Sequence, residues 1–162
     1  MKIDVKVVDY QHPQQGQDLV ALLNAYALDP MGGGEPLAAD VAANLVARLA
    51  ELDHALSLIC YVDGEPAGLT NAFYGFSTFK AKPLINIHDI AVNPAFRGLG
   101  ISQLMLDKLE QIAREKGCCK VTLEVLEGNT VAQNAYRKAG FAGYELDPKM
   151  GRALFWQKSL SE

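Results

Sequence analysis

Residues 3–8 (IDVKVV) alternate apolar and polar side chains, the period of a half-buried strand, and His12-Pro13 breaks that run. Residues 17–28 carry Leu19, Leu22, Leu23 and Tyr26 at helical spacing. The stretch DPMGGGEP, residues 29–36, sets three glycines between two prolines and reads as a loop. Helical spacing resumes over 37–51 with Val41, Leu45, Val46 and Leu49. Two strand-like runs, 55–62 and 66–79, flank Asp63-Gly64, a hairpin signal because glycine accepts the positive φ that such turns require. A loop, KAKP, leads to a third central strand over 84–92 (LINIHDIAV). Residues 99–116 predict a long amphipathic helix anchored by Leu99, Leu104, Leu106, Leu109, Ile112 and Ala113. Gly117 follows where a helix C-terminus favours a left-handed residue. A strand over 119–126, a helix over 130–139 ended by Gly140, and short strands near 141–146 and 152–159 complete the pattern. Consecutive strands require antiparallel pairing and the later strand–helix–strand requires a parallel crossover, so a mixed sheet covered by helices is expected. With no repeat, linker or low-complexity segment, residues 1–162 read as one domain.

The strand at 84–92 does not keep one phase. Ile85 and Ile87 are two apart, as are Ile90 and Val92, but the step from Ile87 to Ile90 is three. A regular strand would turn one of those pairs to the wrong face. One extra residue at His88-Asp89, a β-bulge, returns both pairs to the core, and bulges re-aim side chains and end pairing near active sites. A strand buried on both faces accounts for the same run without a bulge. With the bulge, the strand splays from its neighbour and its amides are free to bind something extended.

Composition narrows the classes. Hydrophobic residues make up 49% and charged residues 21%, ordinary for a globular chain and wrong for a disordered one. No apolar run is long enough for a membrane-spanning helix, and MKIDVKVVDY lacks the apolar core of a secretory signal. The net charge of −4 comes with 15 scattered Lys and Arg, so a nucleic-acid partner is not expected. Cys60, Cys118 and Cys119 form neither a disulfide framework nor a zinc pattern; reduced thiols in a cytoplasmic protein are expected. Cys118 and Cys119, at the start of the 119–126 strand, should point to opposite faces.

The turn N93-P94-A95-F96-R97-G98-L99-G100-I101-S102 stands between a strand and a helix, an arrangement that points backbone N–H groups at an anion. A P-loop needs a lysine that neither this turn nor MGGGEP has. A dinucleotide fold wants a third glycine where Gln103 stands; Glu124, roughly twenty residues on, keeps that reading open. The residues Arg97-x-x-Gly100-x-Ser102 resemble the Q/R-x-x-G-x-G/A signature of the GNAT superfamily of acyl-CoA N-acyltransferases, with Ser102 where Gly or Ala is usual. Asn129 followed by A132-Q133-N134-A135-Y136-R137-K138-A139-G140-F141 resembles the superfamily's N-x-x-A-x-x-x-Y-x-x-x-G-F pattern, and the order of elements matches over essentially the whole chain. The stretch NAFYGFSTFKAKPLINIHDIAV is similar to the diamine and polyamine (spermidine/spermine-type) N-acetyltransferases, which carry Glu-Asp at His88-Asp89 and usually Trp-Asn at Gly128-Asn129.

The resemblance implies an α/β (α+β mixed) fold: a mostly antiparallel twisted sheet of six to seven strands, about four helices and a splayed, bulged central strand. It implies acetyl-CoA as co-substrate, no metal, and a small primary amine (a diamine, polyamine or amino acid) as acceptor. A protein amine, or an acyl-CoA-binding module without turnover, are the alternatives. Ile90, Ala91 and Val92 would pair with the pantetheine arm and donate to an oxyanion. Amides of Arg97, Gly98, Leu99, Gly100, Ile101 and Ser102 would lie under the pyrophosphate. Asn129 would contact the coenzyme or cap its own helix. Tyr136 would be the proton donor to the departing thiolate, or a packing aromatic.

An alkylammonium is neutral in about one molecule in 2,500 at pH 7, roughly 4.6 kcal/mol uphill, so the site must take a proton. His88 is the first candidate base, since imidazole titrates near neutrality, unless it is a structural histidine. Asp89 would bind the cation, orient His88 or bond the bulge amides. Glu124, facing cleft or solvent, ranks third. Phe73, Tyr74, Phe76 and Phe79 are expected to be mostly core, with one or two lining an amine pocket. Loop 29–36, with Asp29 and Glu35, reads as a substrate flap or a plain connection. Relatives are often dimers, so the resemblance allows a homodimer.

Overall fold

The computed structural model describes residues 1–144 and 147–160. Five strands form one sheet in chain order: β1 (Ile3–Val7), β2 (Ala55–Val62), β3 (Glu65–Ser77), β4 (Lys82–Val92) and β5 (Val121–Leu123). The first three pairings are antiparallel and β4 with β5 is parallel, so the sheet is mixed. Helices α1 (Pro13–Leu28) and α2 (Ala39–Ala50) connect β1 to β2, α3 (Ile101–Glu115) is the crossover from β4 to β5, and α4 (Thr130–Lys138) follows β5. The α1 helix begins at Pro13, four residues before the apolar period at 17–28 becomes visible. Its first turn is polar, and His12 caps it by accepting from Gln15 N.

Alternation divides the core. Leu56, Leu58, Ala72, Ile85 and Ile87 pack on Leu106, Leu109, Ile112 and Ala113 of α3, while Ile59 and Leu69 pack on the other face with Leu19, Leu22 and Leu49 of α1 and α2. One of the expected α3 anchors behaves differently: Leu104 is exposed, and Met105, not among those anchors, takes a fully buried position, because the buried arc is centred on Ile101, Met105, Leu109 and Ile112. Asp63 and Gly64 both take positive φ, as the hairpin signal requires.

The sheet has five strands among the described residues, not six to seven. No strand forms over 141–144 or 152–159, and residues 145–146 of the first expected strand lie outside the described residues. A turn at 147–151, bonded Met150 N to Asp147 O at 2.8 Å, separates the two segments, and Ala153 N to Tyr144 O at 3.4 Å joins them. Leu154, Phe155 and Trp156 are exposed, so this apolar run has no sheet face to alternate against. The strand expected over 119–126 is shortened to three residues, leaving Cys118 and Cys119 before it, half-buried and exposed respectively. Phe76 and Phe79 are exposed at the far end of the β3–β4 hairpin, against the expectation of core; only Phe73 and Tyr74 pack.

Candidate active site

The bulge is present. Asn71 pairs with Asp89 and Ala72 with Ile87, which leaves His88 as the extra residue of β4. Ile85, Ile87, Ile90 and Val92 consequently all face the α3 side, where Ile90 and Val92 join the core around Ile101 and Met105. His88 and Asp89 are turned to the opposite face. His88 is exposed, its ring edge-on to Phe73 at 4.7 Å between centroids. Asp89 is half-buried and accepts from Asn71 Nδ2 at 3.1 Å.

Pairing between β4 and β5 stops at Ile87 and Leu123, so beyond the bulge β4 has an open edge. Which amides face that edge follows from two hydrogen bonds. Ile85 N points to the β5 side, donating to Lys120 O, and Asn93 N points to the β3 side, donating to Ala67 O. Alternation back from Asn93 puts the Ile90 and Val92 amides on the open edge and turns Ala91 N towards β3. Of the expected residues Ile90, Ala91 and Val92, two therefore present donors.

The open edge runs into the glycine turn. Gly98 and Gly100 have φ of 83° and 75°, a region that costs other residues about 1–2 kcal/mol. A Cβ built on either meets nothing within 4 Å, so the space above the turn is open. Gly100 is the N-cap of α3 with no side-chain cap, which leaves the first amides of a 15-residue helix directed into that space. Arg97 is exposed beside it, Leu99 and Ser102 are half-buried, and Ile101 is buried and anchors the turn to the core. These groups fit a ligand that carries an extended amide-bearing arm and a pyrophosphate.

Asn129 caps α4 by accepting from Ala132 N at 3.2 Å. Gln103 of α3 donates to Ala135 O at 2.9 Å and ties the two helices together one residue from Tyr136. Tyr136 is half-buried, edge-on to Phe141, and its phenol is pushed up to about 12, by burial first and by Tyr26 second. Tyr26, on α1, is raised by burial, then by the charge of Asp89, then by Asp29. Tyr26 and Asp89 belong to the α1 side of the sheet and Tyr136 to the α3 side. Glu124 lies just past the end of β5 and is exposed. In the 29–36 loop, Pro30–Gly32 forms a 3-10 turn capped by Asp29, and Gly34 N and Leu37 N bond back to Ala27 O and Asn24 of α1.

Sequence reasoning missed Tyr26 as a site residue and missed the polar string behind Asp89: Tyr10, Ser57 and Asn71. Its signal was present, since Ser57 and Asn71 interrupt two otherwise apolar strand runs.

The model of the acetyltransferase (GNAT) family matches residues 19–141. A thialysine N-epsilon-acetyltransferase of Bos taurus is 37% identical over 82 residues, 48% of this chain and 48% of its own length. A streptothricin acetyltransferase of Streptomyces lavendulae is 38% identical over 85 residues, 52% of this chain and 43% of its own. The chain thus spans about half the length of these curated relatives. Among solved structures, an aminoglycoside N-acetyltransferase in complex with CoA superposes with a TM-score of 0.75 at 21% identity, covering 97% of this chain and 95% of that one.

Proposed function

We propose, from the premise that the chain belongs to the acetyltransferase (GNAT) family, that it transfers an acetyl group from acetyl-CoA to a primary amine of a small molecule by direct attack. The observation that carries this reading is the open edge of β4 past the bulge, which runs into the glycine turn and the uncapped start of α3.

Acetyl-CoA supplies an activated thioester. The chain's part is to hold it and to manage protons. The Ile90 and Val92 amides bind the arm and donate to developing negative charge on the carbonyl oxygen, fixed before reaction begins. The turn from Arg97 to Ser102 holds the pyrophosphate through backbone N–H groups at the start of α3. Asn129 presents the start of α4 to the same ligand. Asp89 attracts the ammonium of the acceptor, and the rings of Tyr26 and Phe73 add cation–π attraction. His88 or Asp89 then takes the proton that blocks attack. Glu124 is the weakest of the candidate bases, because among the described residues this exposed carboxylate beyond β5 has no hydrogen-bond partner to aim it. Tyr136 donates a hydrogen bond to the sulfur as the carbon–sulfur bond breaks. With a phenol near 12 and a thiol near 8.5, complete transfer to a free thiolate is uphill, so the donation acts during bond breaking.

An acidic, ring-lined subsite favours cationic acceptors: diamines, polyamines, basic amino acids and their analogues. The amine-acetylating relatives support this class. The test is incubation with acetyl-CoA and a pooled amine library while free thiol is followed. Amine-dependent thiol release, greatest with diamines, is expected. Tight acetyl-CoA binding with no amine-dependent release would leave an acyl-CoA-binding module instead.

A further inference from the structure

Beside the cleft, a string of side chains crosses three strands on the α1 face. Tyr10 and Ser57 oxygens lie 2.8 Å apart, Ser57 Oγ donates to Asn71 Oδ1 at 2.6 Å, and Asn71 Nδ2 donates to Asp89 Oδ2 at 3.1 Å. Ser57 is 1% exposed and Asn71 4%. The string has one polarity. A carboxylate only accepts, so Asn71 must turn its NH2 end to Asp89 and its oxygen to Ser57. Ser57 then spends its only proton on Asn71, and Tyr10 must donate to Ser57. Burial raises the Tyr10 phenol, so it remains a donor.

The string also needs the bulge. Asn71 meets Asp89 across the ladder only because His88 is extra; in regular register Asn71 would face His88, and Asp89 would point to the apolar α3 side. Removing one member would leave a buried polar partner unsatisfied, at a cost of about 1–3 kcal/mol. The arrangement leaves Asp89 Oδ1 with no hydrogen bond from the described residues.

We infer that Asn71 is a positioning residue, which fixes the Asp89 carboxylate through Oδ2 so that Oδ1 is presented to the acceptor ammonium. The consequence for turnover rests on the acetyl-transfer reading; the geometry does not. In Asn71→Ala, kcat/KM for a diamine falls at least about tenfold, as expected for a displaced binding group, while KM for acetyl-CoA stays within about twofold. In an Asp89→Asn background the same substitution has no further effect, because the group being positioned is already lost. Ser57→Ala frees the Asn71 amide to rotate and causes a smaller loss in the same parameter, so a poorly folding Asn71→Ala does not leave the question open. A second readout uses the protein alone: the Asn71 side-chain NH2 signals in NMR, identified by their loss in Asn71→Ala, are slow to exchange and shift in both Asp89→Asn and Ser57→Ala. A full Asn71 effect surviving in the Asp89→Asn background, or a freely exchanging Asn71 amide in the wild-type protein, overturns the inference. A protected amide in a protein that acetylates no amine counts against the acetyl-transfer reading and leaves the Asn71–Asp89 geometry standing.

Discussion

Tyr136 packs against the α3-side core, and its environment sets what it can do. Burial and the nearby Tyr26 hold its phenol neutral well into alkaline solution, at about 12. A group that stays protonated is available as a donor at every physiological pH, but it is a poor source of a fully transferred proton. Under the proposed role, Tyr136→Phe removes a hydrogen bond at the departing sulfur and keeps the ring that packs beside Phe141. Steady-state kinetics should show turnover lower by at least about tenfold, with acetyl-CoA affinity nearly unchanged; undiminished turnover would reduce the residue to packing. Tyr136 and Asn129 are legible in the sequence because they sit in one local pattern on one helix. Tyr26 is not, and Ser57 and Asn71 show only as polar breaks in apolar strand runs, because what they meet lies far off in the chain and no local period carries that.

At the scale of elements, β4, its bulge and the glycine turn act as one unit. The bulge was legible from a single three-residue step between Ile87 and Ile90, since a misplaced apolar residue in a central strand has a large cost and an extra residue removes it. The length of β5 was not legible. Its apolar alternation continues past Leu123, but a strand exists only where a partner runs beside it, and β4 turns away at the bulge. Two glycine substitutions test the other end of the unit. Gly100→Ala and Gly100→Glu both place a Cβ at φ 75° and should lower stability alike, by about 1–2 kcal/mol. Only Gly100→Glu sets a negative charge at the proposed pyrophosphate site, so calorimetric titration with acetyl-CoA should find binding retained in the alanine variant and lost in the glutamate variant. Equal binding in both would remove the turn from the coenzyme site. Gly68 of β3 explains how α3 comes so close: a Cβ there would lie 2.8 Å from Ile101 Cγ2 and 3.0 Å from Met105 Cε. Gly68→Ala should cost roughly 1–3 kcal/mol by overpacking in urea unfolding, and weaken acetyl-CoA binding by shifting the first turn of α3. Unaltered affinity in a folded variant would show that the turn is held independently of that contact.

For the molecule as a whole, tyrosines gather where the sheet meets its covering helices. Of six tyrosines, Tyr10, Tyr26, Tyr61, Tyr74 and Tyr136 all have phenols raised, with burial the largest cause in each. Tyr61 adds a hydrogen bond to the buried Asp18 at 2.7 Å, which holds its proton harder still. These groups report that both layers are closed: Tyr10, Tyr26 and Tyr61 on the α1 side, Tyr74 and Tyr136 on the α3 side. They also link folding to alkaline pH. A group whose folded pKa lies above its unfolded value of about 10 binds its proton more tightly in the native state. Its contribution is complete below pH 10 and is lost as pH rises through the folded value, about 12 for Tyr136. Urea unfolding should therefore give a midpoint that the tyrosines leave unchanged from pH 7 to about 9 and that falls steeply between about 10 and 12. Absorbance at about 295 nm, where phenolate is seen, should rise late in the folded protein and near pH 10 in urea. Tyr136→Phe should remove part of the late rise and soften the alkaline fall. Tyrosines that all ionise near pH 10 in the folded protein would mean that the helical layers do not shield the sheet as described.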